Sequence, residues 1–202
     1  RGITLQRQVR PDMVMNFFFM QHPLVGGYAP DKVALRRAIA LAFDGPTLRN
    51  NLFGGQGVPA QSVIAPFTSG YDPAYKSEMS DHDPARARAL LDLYGWVDRN
   101  GDGWREQPDG QPLVLTMAST SAQIDRRRNE IWKRSMDAVG LRMEFDISTW
   151  PELLKKSRAG ALMMWGYTWG AVSPDGGFFL GLAYGPHAGE ANDPRFELPA
   201  FD

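Results

Sequence analysis

The stretch ALMMWGYTWGAVSPDGGFFL, residues 161–180, decides the reading of the chain. Leu162, Met163, Met164 and Trp165 form an unbroken apolar run, which predicts a short strand buried on both faces. After Trp165 the pattern dissolves into Gly166, Tyr167, Thr168, Trp169 and Gly170, followed by Ser173-Pro174-Asp175-Gly176 and a return of apolarity at Phe178, Phe179 and Leu180. A strand that ends in aromatics and glycines and then starts a short helix describes the carboxyl edge of an α/β sheet, where ligands of such sheets bind. Aromatic rings offer rigid walls, and glycines let backbone approach a ligand closely. Trp165, Tyr167, Thr168, Trp169, Gly170 and Asp175 are therefore candidate ligand-binding residues. The competing reading makes the aromatics plain core. Trp165 belongs to the strand and should carry stability, whereas Trp169 should line the cleft.

Working outward, residues 13–20 (MVMNFFFM) read as a second buried strand interrupted by Asn16. A buried amide needs partners, so Asn16 either tethers backbone or touches ligand. Residues 32–43 carry Ala34, Leu35, Ala38, Ile39, Leu41 and Ala42 at helical spacing behind Asp31, an expected N-cap. A short helix over 47–53 follows, then the turn GGQGVPA at 54–60. This GGxG has no preceding strand and no following lysine, and Pro59 blocks an immediate helix, so it makes a poor phosphate loop. Asp83-Pro84 opens a helix that Gly95 ends. Residues 112–118 read as a strand, and 122–139 as a helix with Ile124, Ile131, Trp132, Met136 and Val139 inward. Arg126, Arg127, Arg128, Lys133 and Arg134 form its solvated face. Residues 141–147 alternate as a strand, and Thr149-Trp150-Pro151-Glu152 starts a helix to about 159. Alternating strands and helices give an α/β fold with a mixed sheet flanked by helices.

Several phrases in this order resemble one family. They are DKVALRRAIALAFDGPTLRNNLFGGQGVPA from residue 31, DPARARALLDLYGW from 83, and the helix–Gly–strand–helix–strand run from 122 to 170. Together they are similar to the peptide/nickel class (family 5) of extracellular solute-binding proteins of ABC transporters, over residues 13–182. The resemblance implies the second lobe of a type II periplasmic-binding-protein clamshell, with residues 1–202 forming a single ligand-binding lobe and the first lobe mostly absent. It also implies a periplasmic, monomeric protein that closes on a peptide, a nickel complex or a related solute and hands it to permease subunits, without making or breaking bonds. Peptide-binding relatives carry, a few residues before a Pro in this region, an Asp that pairs with the ligand's free amine. Counting back four from Pro174 lands on Gly170, so amine recognition is in doubt. Asp175 either substitutes or caps the next helix.

Composition narrows the alternatives. A net charge of −1 argues against a nucleic-acid binder. The absence of cysteine excludes disulfides, thiolate catalysis and Cys-ligated metals. His22, His82 and His187 stand in loops outside any hydrolase motif. An enzyme acting on a small polar solute, or a stand-alone protein-interaction domain, remains the alternative. No cofactor is expected, with one exception to weigh. In DRNGDGWREQPD, Asp98, Asn100, Asp102 and Asp109 fall at the spacing of a calcium loop. A turn built on Asn-Gly and Asp-Gly is the other reading.

Overall fold

In chain order the elements are β1 (Asp12–Phe18), α1 (Pro30–Ala42), α2 (Gly45–Phe53), α3 (Pro84–Leu93), β2 (Val114–Ser119), α4 (Gln123–Asp137), β3 (Arg142–Ile147), α5 (Trp150–Arg158), β4 (Met164–Gly170) and α6 (Gly177–Gly181), followed by a 3-10 turn (Gly185–His187). The computed structural model describes residues 2–4 and 10–202. Residues 1 and 5–9 lie outside the described residues.

Local chemistry starts the helices. Asp44 accepts a hydrogen bond from the Thr47 backbone at 2.9 Å, and Asp83 accepts one from Arg86 at 2.9 Å, each with a proline in the first turn. For α1 the expected cap is displaced. The helix begins at Pro30 behind Ala29, and Asp31 falls within the first turn, where its charge still suits the helix dipole. At α5 the Glu152 carboxylate accepts from both the backbone and the hydroxyl of Thr149, at 2.9 and 2.6 Å.

Among the described residues the strands form one sheet in the order β1-β4-β2-β3. β2 runs parallel to β3 and β4, while β1 pairs antiparallel with β4. The parallel neighbours are joined through helices, as parallel pairing demands. One sheet face is covered by α1, α3 and α4. There Leu35, Ile39, Leu91, Trp96, Leu115, Met136 and Met164 are fully buried in the main core. The opposite face packs Trp165, Ala118, Phe19 and Leu162 against Leu153 of α5. A satellite cluster joins Met13, Ala65, Phe179 and Leu182.

Two strand expectations change. β4 does not stop at Trp165 but runs on through Gly170, and β1 is a half-exposed edge strand in which Asn16 faces solvent. Both corrections have one cause. Asn16 sits opposite Gly166 and Asp12 opposite Gly170, and a Cβ on either glycine would collide with the polar side chain across from it. These glycines therefore make room for a cross-strand neighbour and do not end the strand. Ile124 also departs from its expected inward place and is exposed at the start of α4.

Residues 54–83 carry no helix or strand. The segment is tied down by Ser77 to Gln61 and Gln61 to Asp81, both at 2.9 Å. It is also tied by Ser69, whose backbone donates to Pro174 at 3.0 Å and whose hydroxyl accepts from the Gly176 backbone at 3.2 Å. A Cβ on Gly176 would run into the Ser69 carbonyl and the Ile64 side chain. Since one of these obstacles is backbone, relief requires the loop to move. Gly176→Ala should therefore destabilise by about 1–3 kcal/mol, as for overpacking, and lower the melting temperature by several degrees in thermal unfolding. An unchanged melting temperature would show that the loop is not held there.

Candidate functional site

The carboxyl end of β2 and the first half of β4, with the first turns of α4 and α5, enclose a cavity of about 150 Å³. β2 delivers Ser119 to it and the following residue is Thr120, α4 delivers Asp125, Arg128 and Asn129, α5 begins on Trp150, and β4 supplies Trp165, Gly166, Tyr167 and Thr168. The place follows from the topology. Met117 near the end of β2 pairs with Met164 at the start of β4, so β2 stops beside the first half of β4. The helices that follow β2 and β3 start at that edge, which brings polar residues from distant segments together there.

Hydrogen bonds order the polar side. The Ser119 hydroxyl donates to Asn129 Oδ1 at 3.0 Å, and the Thr120 hydroxyl donates to Asp125 Oδ2 at 2.5 Å. Arg128 Nη1 donates to Asp125 Oδ1 at 3.0 Å, and the Arg128 side chain is 20% exposed. Arg128 Nε is buried with no hydrogen-bond partner among the described residues. The apolar side is the Trp150 ring, 48% exposed. Its centroid lies 5.0 Å from that of Trp165 and 5.6 Å from that of Tyr167. Trp165 itself is 2% exposed, and its ring belongs to the second core as well as to the cavity wall.

The structure sorts the candidates read from the sequence. Trp165, Tyr167 and Thr168 line the cavity. The Tyr167 hydroxyl is spent on the buried Asp193, which also accepts from Ser157 at 3.0 Å. Burial, and then the hydrogen bond to Asp193, push that phenol well above its ordinary range. Trp169 lies outside the cavity lining, half-buried against Phe178 at 6.0 Å, in the cluster with Met15. Asn16 stands over Gly166 beside the cavity, and Gly170 is exposed with the Asp12 carboxylate over it. Arg10 pairs with that carboxylate at 3.2 Å. Asp175 is exposed just ahead of α6, whose N-cap is Gly176, and accepts from the Gly177 backbone at 2.9 Å and from the Ser69 hydroxyl at 3.2 Å.

The sequence pattern does not single out Asp125, Arg128, Asn129 or Trp150, and it puts Arg128 on the solvated face of its helix. A signal was present: Asp125 and Arg128 stand at i,i+3 in the first turns of a helix that follows a parallel strand, which puts them on one face at the ligand-binding edge. The histidine rings all contact backbone. His22 Nδ1 accepts from Leu24, His82 Nδ1 lies 3.1 Å from the Phe43 carbonyl, and His187 Nδ1 lies 3.3 Å from that of Gly181.

The calcium ligands expected from the sequence are rearranged. Asp98, Asp102 and Glu106 converge, whereas Asp109 lies in the following turn and accepts from the Gln111 backbone at 3.0 Å. Asp98 accepts from the backbones of Gly101 and Gly103 at 2.7 and 2.8 Å. The Gly103 bond foremost holds its carboxyl below the usual range.

The family described as bacterial extracellular solute-binding proteins, family 5 (middle), matches residues 3–190. The chain belongs to this family. Among curated members of this and related groups, di/tripeptide-binding protein 2 of Pseudomonas aeruginosa (strain UCBPP-PA14) is 29% identical over 167 residues, 82% of this chain and 29% of that protein. The nickel-binding periplasmic protein of Escherichia coli (strain K12) is 27% identical over 161 residues, 78% of this chain and 30% of its own length. This family 5 chain thus spans less than a third of the length of those relatives. In three dimensions it is similar to the periplasmic oligopeptide-binding protein of an oligopeptide ABC transporter from Thermotoga maritima. That match has a TM-score of 0.80 at 19% identity and covers 96% of this chain and 38% of the other. The likeness confirms the mixed α/β fold of the periplasmic-binding-protein type.

The edge that carries Trp150 is braced by an ion pair. Lys156 of α5 donates to Asp146 of β3 at 2.5 Å, and the Ser148 hydroxyl donates to the same carboxylate at 2.9 Å. The Lys156 bond foremost, and then that of Ser148, lower the Asp146 pKa. A carboxyl whose folded pKa is depressed stabilises the fold above its unfolded pKa of about 4 and loses that contribution as pH falls through the folded value. The melting temperature should therefore fall below about pH 4. Asp146→Asn should flatten part of that fall in a melting series against pH. An unaltered slope in the variant would remove Asp146 from the acid response.

Proposed function

We propose that this chain is a lobe of the solute-binding component of an ABC import system, which captures a peptide or related small solute outside the cytoplasmic membrane and delivers it to permease subunits. The observation that carries the reading is the polar and aromatic cavity between the carboxyl end of β2 and the first half of β4, in a chain of the family 5 group. Relatives are named for di- and tripeptides and for nickel, so the solute class is drawn from these. Periplasmic residence, monomeric action and association with a permease belong to the same proposal. Among the described residues no helix is long and apolar enough to cross a membrane. Trp150, Trp165, Thr168 and the Arg128–Asp125 pair form this lobe's share of the site. Trp169, Gly170, Asp175 and Asn16 lie around it and contribute, on this reading, where a second lobe closes over β1 and β4.

A solute held between two lobes draws its affinity from both, so the 202-residue chain alone should bind weakly. Calorimetry against di- to pentapeptides and nickel–histidine complexes should give micromolar binding for a two-lobe protein carrying this chain. The isolated chain should bind no tighter than about millimolar. In the two-lobe protein Trp150→Ala should weaken binding by about 2 kcal/mol, as for a half-buried aromatic anchor. Cleavage of the peptides would instead make the protein an enzyme, and failure of every solute to bind would overturn the reading.

The loop from Asp98 to Asp109 is, in our reading, a turn and not a calcium site. Its acidic side chains are engaged by backbone N–H groups, and Asp109 stands apart from the other carboxylates. Calcium should leave the melting temperature unchanged. A saturable rise, about 2.7 kcal/mol at a hundredfold excess over the dissociation constant, abolished in Asp102→Ala, would establish a site.

A further inference from the structure

One buried carboxylate stands without a cation. Asp193 is 5% exposed, and no lysine, arginine or histidine pairs with it among the described residues. Its two oxygens are held by hydroxyls instead, Oδ1 by the fully buried Ser157 at 3.0 Å and Oδ2 by Tyr167. Taking a carboxylate out of water is costly, and an apolar contact in its place often serves a fold as well. Stability alone therefore does not call for a carboxylate here.

The loop that carries Asp193 is fixed by other groups. Asn192, fully buried, donates through Nδ2 to the carbonyls of Tyr184 and Phe196 at 3.0 and 2.7 Å, and it accepts from the Phe196 backbone at 3.0 Å. The Pro194 carbonyl accepts from the Met20 backbone at 2.8 Å. Arg195 donates through Nη1 to the Ser157 carbonyl at 3.1 Å, near the end of α5. Asp193 is thus set in place beside Ser157, and of its two side-chain partners only Tyr167 lines the cavity.

A phenol has one hydrogen to donate, and the carboxylate takes it. The ring left at the wall has its centroid 4.7 Å from that of Trp165 and 5.6 Å from that of Trp150, and all three rings line the cavity. An amide or hydroxyl of a solute that faces the Tyr167 ring finds no donor in it, and an unpaired polar group in a closed site costs affinity. An apolar side chain meets no such cost and packs on the ring.

We propose that Asp193 is a positioning residue of the candidate site. It turns the Tyr167 hydroxyl away from the solute, so that this wall accepts an apolar side chain and discriminates against a polar one of the same shape. The proposal rests on the solute-binding reading above and adds the kind of side chain this lobe accepts.

In the 202-residue chain, a phenol held by a buried carboxylate exchanges its hydroxyl proton slowly, so proton NMR should show the Tyr167 hydroxyl signal. It should vanish in Tyr167→Phe and in Asp193→Ala. In a two-lobe protein carrying this chain, calorimetry compares Ala-Leu-Ala with Ala-Asn-Ala, whose middle side chains are alike in shape. The leucine peptide should bind about tenfold tighter. Asp193→Ala frees the phenol and should reduce that preference to about threefold or less. Asp193→Asn, which still offers the phenol a partner, should restore most of it. Tyr167→Phe keeps the ring and should retain the full preference, and Asp193→Ala added to it should change nothing further. That insensitivity separates positioning through Tyr167 from a general loss of packing. Should Asp193→Ala melt early, the Tyr167→Phe comparison decides. A preference lost in Tyr167→Phe, one that survives in folded Asp193→Ala, or a native chain without the hydroxyl signal would overturn the proposal. Equal binding of the two peptides to the native two-lobe protein would overturn it alone and leave the solute-binding reading standing. Failure of both peptides to bind would bring the two down together.

Discussion

Strands β1 and β4 pair antiparallel over their full length, from Asp12 opposite Gly170 to Phe18 opposite Met164. This pairing joins the early chain to its late part and completes the sheet, since β2 meets β4 at its other edge. Much else depends on it. It satisfies the backbone groups of β4 beyond Trp165, where the run of aromatics and glycines could not have stood as an isolated strand. It also sets the pleat that sends Trp165, Tyr167 and Trp169 to one face and Met164, Gly166 and Thr168 to the other.

That division by face gives the aromatic residues different tasks despite their spacing in the chain. Trp165 fills the second core, Tyr167 locks to the buried Asp193, and Trp169 packs with Phe178. Trp165 and Tyr167 also line the cavity, beside the half-exposed ring of Trp150, which starts the helix before the strand. Rigid placement of that ring depends on the Thr149–Glu152 bonds at the helix start and on the Lys156–Asp146 pair that holds α5 to β3.

The glycines of β4 illustrate how a strand can be built for access. Gly166 and Gly170 leave room over the sheet for Asn16 and Asp12. The carboxylate that the family resemblance leads one to seek at position 170 is absent there, yet Asp12 brings one over the same backbone from the neighbouring strand, paired with Arg10. In the cavity, both oxygens of Asp125 accept a hydrogen bond, from Thr120 and Arg128, while the buried Arg128 Nε has no partner among the described residues.

The alternation of strands and helices was legible in the sequence, because apolar spacing and capping residues act over a few residues. Asp83-Pro84, the inward face of α1 and the strands β2 and β3 follow from such local signals. The family was legible too, through the order of its phrases. Tertiary structure alone decided that Asn16 is exposed, that β4 continues through its glycines, and that Asp109 parts from Asp98 and Asp102. It also decided that Arg128, outwardly one of a run of surface arginines, turns into a cavity with Trp150 and Asp125. The physical reason is the same throughout. Which face of an element is buried, and which donor lacks an acceptor, depends on segments far away in the chain, and these meet only when the sheet is assembled.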